Sequence, residues 1–331
     1  MTIPPFPVTR RGLLKAGAAV AAATTLAPPQ TASAAATTLA PARAASAAEG
    51  RFELTAPSTS LIWRKALYDE TVMQSFAIDS AHGHLYTVQL KNGAGSDAAG
   101  HLCLTKLDLS GTILGHMYLM GFGHGVQIGV EPSGSAAYLW TETDGVPNSE
   151  GSSRGTRLCR FRFADGQTLT TSSAALTTYA PIAGATNTTC TIDPSTDRLV
   201  MRYRAGGSFR LAAFTLASVK AGAPQQVYDI AQPGGLGTFQ GYAAYGDFVY
   251  LLTGDSYDIS PPPGNTYLTC LDLRTGEQVQ RARSVAGKSL DFREPEGMGI
   301  QLVSGAPRLC LGLASEPGPR LASIFYKSAF V

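Results

Sequence analysis

Five polar residues at comparable places along the chain are the first candidates for chemistry: Gln74, His124, Asn187, Gln240 and Glu296. Each is followed by a small residue, in turn Ser75, Gly125, Thr188, Gly241 and Gly297. Small neighbours let a backbone come close to a bound molecule, and amide, imidazole and carboxyl groups together can both donate and accept hydrogen bonds. The alternative is that such a ring satisfies only its own members and enclosed water, since buried polar groups must be paired. His124 stands out within Gly121-Phe122-Gly123-His124-Gly125, because glycines leave its ring uncrowded and histidine is the residue type that exchanges protons near neutral pH. Nearby segments add Trp140-Thr141-Glu142-Thr143-Asp144-Gly145 and Arg202-Tyr203-Arg204. Arginine holds anions through a two-pronged fork, so these types together suit an oligosaccharide or a phosphate-bearing polymer. The expected ligand-binding set is Gln74, His124, Glu142, Asn187, Arg202, Gln240 and Glu296. For Arg202 and Arg204 an ordinary solvated strand face is the competing reading, with Met201 and Tyr203 on the opposite side.

Residues so far apart in sequence need a repeating scaffold to bring them together. The five positions are 50, 63, 53 and 56 residues apart, and each opens a similar unit: an apolar run, a turn, a second strand-like run, a loop and a third. The first unit reads Gln74-Ser75-Phe76-Ala77-Ile78-Asp79, then His84-Leu85-Tyr86-Thr87-Val88, then Leu102-Cys103-Leu104-Thr105-Lys106-Leu107-Asp108. Period-2 alternation is clear in Leu199-Val200-Met201-Arg202-Tyr203, and turns are marked by segments such as Pro132-Ser133-Gly134 and Arg274-Thr275-Gly276. Several short strands every 50 to 60 residues is propeller spacing. The expectation is an all-β, five-bladed β-propeller over residues 49–331, with blade openings near 74, 124, 187, 240 and 296. The ring should close by pairing a strand near Leu61 to Ala66 with the run Leu321 to Tyr326. Its innermost strands would gather the five polar residues at one mouth of a central channel.

Residues 1–48 read differently. Thr9-Arg10-Arg11-Gly12-Leu13-Leu14-Lys15 has the form of a twin-arginine export signal, and Ala16 to Leu26 is a short Ala-rich apolar stretch ended by Pro28 and Pro29. That stretch is too short to span a bilayer, which needs about 20 apolar residues. Cleavage is expected near Ala32-Ser33-Ala34 or Ala42-Arg43-Ala44. Loss of Arg10, Arg11, Lys15 and Arg43, with no acid among them, turns the net charge of +2 into −2. A mildly acidic body argues against nucleic acid as a partner. The expectation is a secreted monomer with no stable membrane insertion. The five cysteines lie in strand-like runs, so they read mainly as small buried hydrophobes, with disulfides as the alternative. His82-Gly83-His84 falls where other units have plain turns, and Ala286-Gly287-Lys288-Ser289 lacks the leading glycine of a phosphate loop. No motif calls for a metal or another cofactor, so none is expected.

Met73-Gln74-Ser75-Phe76-Ala77, Gly123-His124-Gly125 with Ile128-Gly129-Val130-Glu131, Leu139-Trp140-Thr141-Glu142, and Glu294-Pro295-Glu296-Gly297-Met298 carry a resemblance. In these segments the chain resembles the propeller domain shared by teichoic acid biosynthesis protein C-like proteins and staphylococcal phage receptor-binding proteins, over about residues 60 to 331. The resemblance implies a five-bladed propeller associated with cell-wall glycopolymers. The Ala/Pro-rich leader looks actinobacterial. Two functions follow: a non-catalytic binder of an anionic or sugar-rich wall polymer, or an enzyme on such a polymer, most plausibly a polysaccharide lyase. In the lyase, His124 would be the base and Tyr203 the acid, while Arg204, Gln240 and Glu296 would orient the substrate. That assignment requires the base to reach the abstracted proton.

Overall fold

The computed structural model describes residues 50–331 except 94 and 317; the leader assigned to residues 1–48 lies outside the described residues. Strand β1 (Thr59–Ala66) comes first but belongs to the last blade. The first blade is β2 (Met73–Asp79), β3 (His84–Leu90), β4 (Leu102–Asp108) and β5 (Ile113–Met120). The second begins with β6 (Gly129–Ser133) and β7 (Ala136–Thr143), then interrupts itself with a hairpin, β8 (Val146–Pro147) and β9 (Ser153–Arg154). It resumes with β10 (Arg157–Arg162), lends β11 (Thr168–Thr170) to the first blade as a parallel outer strand on β5, and ends with β12 (Thr177–Tyr179). The third blade is β13 (Thr186–Asp193), β14 (Arg198–Ala205), β15 (Ser208–Thr215) and, after the short helix α1 (Leu216–Lys220), β16 (Gln226–Ala231). The fourth is β17 (Phe239–Tyr245), β18 (Phe248–Thr253), β19 (Tyr267–Asp272) and β20 (Gln278–Arg283). The fifth is β21 (Glu294–Val303), β22 (Ala306–Ser315) and β23 (Leu321–Lys327), completed by β1.

The ring closes where the sequence suggests. β1 pairs antiparallel with β23, Thr59 opposite Tyr326 and Ala66 opposite Leu321. A second clasp was not foreseen: Arg51 and Val331 exchange backbone hydrogen bonds of 2.6 and 2.8 Å, and Phe52 N donates to the Tyr250 hydroxyl at 3.1 Å. Five apolar clusters sit between successive blades, which explains strands that are apolar on both faces. In β18, Val249 and Leu251 pack toward the third blade while Tyr250 and Leu252 pack toward the fifth. The pleat gives each neighbour every second side chain. Cys103, Cys159, Cys190, Cys270 and Cys310 are all buried and unpaired.

The inner strands β2, β6, β13, β17 and β21 surround a narrow channel. A Cβ on Gly241 would lie 2.7 Å from Gly297 Cα, and one on Gly297 would lie 2.6 Å from Ser75 Cα. The small residues at the openings thus allow backbone to meet backbone between neighbouring blades, where the sequence suggested room for a ligand. Midway down, the buried Gln127 side chain bridges blades: its Nε2 donates to Met298 O at 3.0 Å and to Ile128 O at 3.1 Å, and its Oε1 accepts from Tyr242 N at 3.1 Å. Val126, just before it, lines cavities at one end of the channel, and Ile128, just after it, lines a mainly apolar cavity of about 240 Å³ at the other.

Candidate functional site

A shared backbone device aims the polar residues. In four of the five inner strands the ladder slips by one residue at the opening. Between Met73 opposite Gln89 and Ser75 opposite Val88, Gln74 has no partner. Gln240 stands alone in the same way between Phe239 opposite Thr253 and Gly241 opposite Leu252. In β13 the slip spans Asn187 and Thr188, and in β21 it spans Glu296 and Gly297. A bulged residue leaves the ladder and its side chain is re-aimed. Asn187 has φ of 50° and Gly297 has φ of 72°, left-handed values that asparagine and glycine accept most readily. The second blade lacks this bulge, because β6 begins only at Gly129 and His124 lies in the irregular segment before it.

The bulges bring Gln74, Gln240 and Glu296 together with His124 around one cavity of about 560 Å³. Asn187 lines a neighbouring cavity of about 330 Å³ with Arg202 and Arg204. The two cavities share Val126, Arg154 and Phe239 as their dividing wall. The ring does not satisfy itself. Gln240 Nε2 donates to Gly254 O at 3.0 Å, but the side chains of Gln74 and Glu296 make no hydrogen bond to described residues. Burial pushes the Glu296 carboxyl well above its ordinary value, and neighbouring Glu294 pushes the same way. Burial also raises Glu294, against the pull of Arg320. A neutral carboxyl can donate as well as accept, which suits sugar or polyol hydroxyls.

His124 is held by its surroundings. Its Nδ1 lies 2.9 Å from Asp97 Oδ1 and 2.7 Å from Ser152 Oγ, and Arg154 Nη1 donates to the same Ser152 Oγ at 2.8 Å. Partial burial opposes it, yet the His124 and Ser152 bonds hold the Asp97 carboxyl below its usual value. A carboxylate only accepts, so Nδ1 is the donor to Asp97. Asp, His and Ser therefore meet here, but both partners share one ring nitrogen. A nucleophile relay needs them on opposite nitrogens, so the cluster orients the imidazole and does not activate Ser152.

Two expected site residues lie elsewhere. Glu142 is fully buried beneath the His124 segment and lines neither cavity. Its Oε1 accepts from His124 N at 3.1 Å and Gly125 N at 2.7 Å, and its Oε2 accepts from Gly155 N. Its task is to hold the loop, since its acceptors are turned to backbone. Tyr203 sits in the cluster between the second and third blades, with its hydroxyl 3.1 Å from Asp229 Oδ1. The pleat of β14 sends Arg202 and Arg204 to the mouth and Tyr203 away from it. The acid of the lyase assignment is therefore absent from the cavity that holds His124. His82 bridges the turns of two blades, Nδ1 2.7 Å from Asp79 and Nε2 3.0 Å from Gly134 O.

The sequence reading missed Arg154, Phe239, Glu294 and Arg320. Glu294 was findable, because it precedes Glu296 by two residues in one strand. Arg154 was not, because it lies on a hairpin of two-residue strands that carries no apolar pattern. No group of three or more His, Cys, Asp or Glu suited to a metal occurs among the described residues.

The chain is similar to known proteins. A relative from Bacillus subtilis (strain 168), a putative major teichoic acid biosynthesis protein C, is 29% identical over 287 residues, covering 83% of this chain. The chain spans 63% of that relative's length. The tail fibre of Staphylococcus aureus phage P68 superposes with a TM-score of 0.68 at 22% identity, over 84% of this chain and 54% of the fibre chain. That likeness is one of fold. Residues 72–325, from the start of β2 into β23, match the family described as the phage five-bladed β-propeller receptor-binding platform domain, and the chain belongs to this family.

Proposed function

We propose that the protein is an exported, non-catalytic binder of a cell-wall glycopolymer, which it holds at the bulge-lined mouth. The observation that carries this reading is the unspent hydrogen-bonding capacity there. Gln74 and Glu296 are almost buried, at 8% and 5% exposure, yet have no partner among the described residues. Both side chains line the larger cavity, so hydroxyls bound there would meet donors and acceptors that no described residue has taken. Family membership and the teichoic acid relative favour a wall polymer as the ligand. The twin-arginine motif at Arg10-Arg11 favours export of the folded chain, and no described helix is long and apolar enough to cross a membrane.

The test is calorimetric titration of residues 49–331 with wall teichoic acid and with uronate polysaccharides, while absorbance of unsaturated uronate products is followed. Binding without absorbance growth, weakened in Gln74→Ala and Gln240→Ala, is the expected result. Absorbance growth that disappears in His124→Ala would replace this reading with the lyase. No binding to any wall polymer would remove both.

A further inference from the structure

Arg202 is the least conventional side chain at the mouth. It is only 7% exposed, yet it makes no ion pair with a carboxylate of the described residues. Both faces of its guanidinium are covered, by Phe209 at 3.7 Å and Phe239 at 3.6 Å. Its Nε is pinned to Gln232 Oε1 at 2.7 Å. With two faces and one edge occupied, the terminal Nη edge is the part left to bond, and Arg202 lines the smaller cavity. Burial, reinforced by the Arg154 charge, pushes this guanidinium down to about 9, so it remains a cation at neutral pH and a poorly solvated one.

Two more arginines line the same cavity without carboxylate partners among the described residues. Arg204 comes from the same strand face, its Nε donating to Gly207 O at 3.4 Å. Arg154 comes from the overhanging hairpin, its Nη1 bonded to Ser152 Oγ and, at 3.3 Å, to Ser153 O. Glu150 is the one acid lining this cavity, and its nearest bonding partner is the Asn148 amide at 3.4 Å. Three guanidiniums against one carboxylate leave a surplus of positive charge. A buried cation is normally paired, and sandwiching between aromatic rings stabilises the stacked cation but leaves its donors unfilled.

We infer that the cavity of Arg154, Arg202 and Arg204 is a phosphate subsite, separate from the larger cavity around Gln74 and Glu296. It rests on the glycopolymer reading for its ligand's source: the phosphate is a diester in the polymer chain. A planar carboxylate offers two oxygens in one plane and is served by one arginine fork. A tetrahedral phosphate spreads its oxygens in three dimensions and takes forks from several sides, as β14 and the hairpin provide. Arg154 lines both cavities, so a repeat unit would set its hydroxyls on the Gln74 side and its phosphate on the Arg202 side.

The experiment compares wild type, Arg202→Lys and Arg204→Ala by calorimetry against poly(glycerol phosphate), polygalacturonate, an uncharged wall-derived glycan and inorganic phosphate. Lysine keeps the charge but loses the fork, and Arg204 is exposed enough to replace without unfolding. Melting temperatures establish that each variant folds. The expected result is at least tenfold weaker poly(glycerol phosphate) binding in both variants, with uncharged-glycan binding unchanged and polygalacturonate a poor competitor. Equal binding of poly(glycerol phosphate) by folded variants and wild type overturns the subsite, as does polygalacturonate competing equally. If uncharged glycan binds wild type but phosphate contributes nothing, the subsite fails while the glycopolymer reading stands. If inorganic phosphate binds in an Arg202-dependent way but no polymer does, the glycopolymer reading fails while the phosphate site stands.

Discussion

Replacement of Gln127 by leucine tests whether the centre of the ring is a bonded plug. The side chain is completely buried and accepts from Tyr242 N in β17 while donating to Met298 O in β21. Both groups lie on inner strands, whose channel-facing edge has no next strand to pair with. Leucine keeps the bulk but strands one backbone donor and one backbone acceptor. Each buried group left without its partner costs about 1–3 kcal/mol, so a loss of about 3 kcal/mol is expected. For a domain of this size, that corresponds to a fall in Tm of roughly 5 °C. Urea unfolding followed by tryptophan fluorescence gives the loss directly, because Trp140 is buried between the second and third blades. Gln127→Ala should cost less than Gln127→Leu if water enters the space and restores the two bonds. A Gln127→Leu protein within about 1 kcal/mol of wild type would refute the reasoning, because the plug would then not be satisfying those groups.

Three further outcomes follow from the same geometry. Glu296→Gln should gain stability over wild type as pH rises. Burial raises the folded carboxyl above its ordinary 4.5, so ionisation penalises the folded state above that value and not below it; Tm measured at pH 4 and pH 8 should show a gap only at the higher pH. Gly297→Ala puts a methyl 2.6 Å from Ser75 Cα at a φ of 72°, so thermal melts should show a loss of about 2–4 kcal/mol, with overpacking and strain combined. Glu142→Gln sets an amide NH2 against a backbone N–H in either orientation, of Gly155 or of the His124 pair. It should cost about 1–3 kcal/mol and weaken polymer titrations although the residue touches no cavity.

The blades were legible because each is packed on both sides, which forces runs that are apolar on both faces, such as Leu199 to Met201 and Leu268 to Leu273, with successive residues going to opposite clusters. The polar openings were legible for a different reason. A bulge leaves one residue out of the ladder at the channel mouth, where a polar side chain is tolerated and a small successor is required by the facing backbone. What sequence could not give was direction. Glu142 looks like an exposed acid after a strand, and only the fold turns its carboxylate under the His124 segment. Tyr203 shares a tripeptide with two mouth arginines, yet the pleat commits it to Asp229. Arg154 and Arg320 come from a hairpin and a turn, where no periodicity tells which side chains face inward.

The β8–β9 hairpin leaves and re-enters its blade at residues that face each other: Thr143 is paired with Arg157 across the ladder. The excursion therefore adds nothing to the register of β7 and β10, and its length is free of the ring's closure. It nevertheless supplies Ser152 beside His124 and Arg154 between the two cavities. On the proposed reading, selectivity would rest on a part that can be exchanged without renegotiating the fold. Grafting hairpins of other lengths between Thr143 and Arg157 should retune which polymer is held while the propeller's melting temperature stays put.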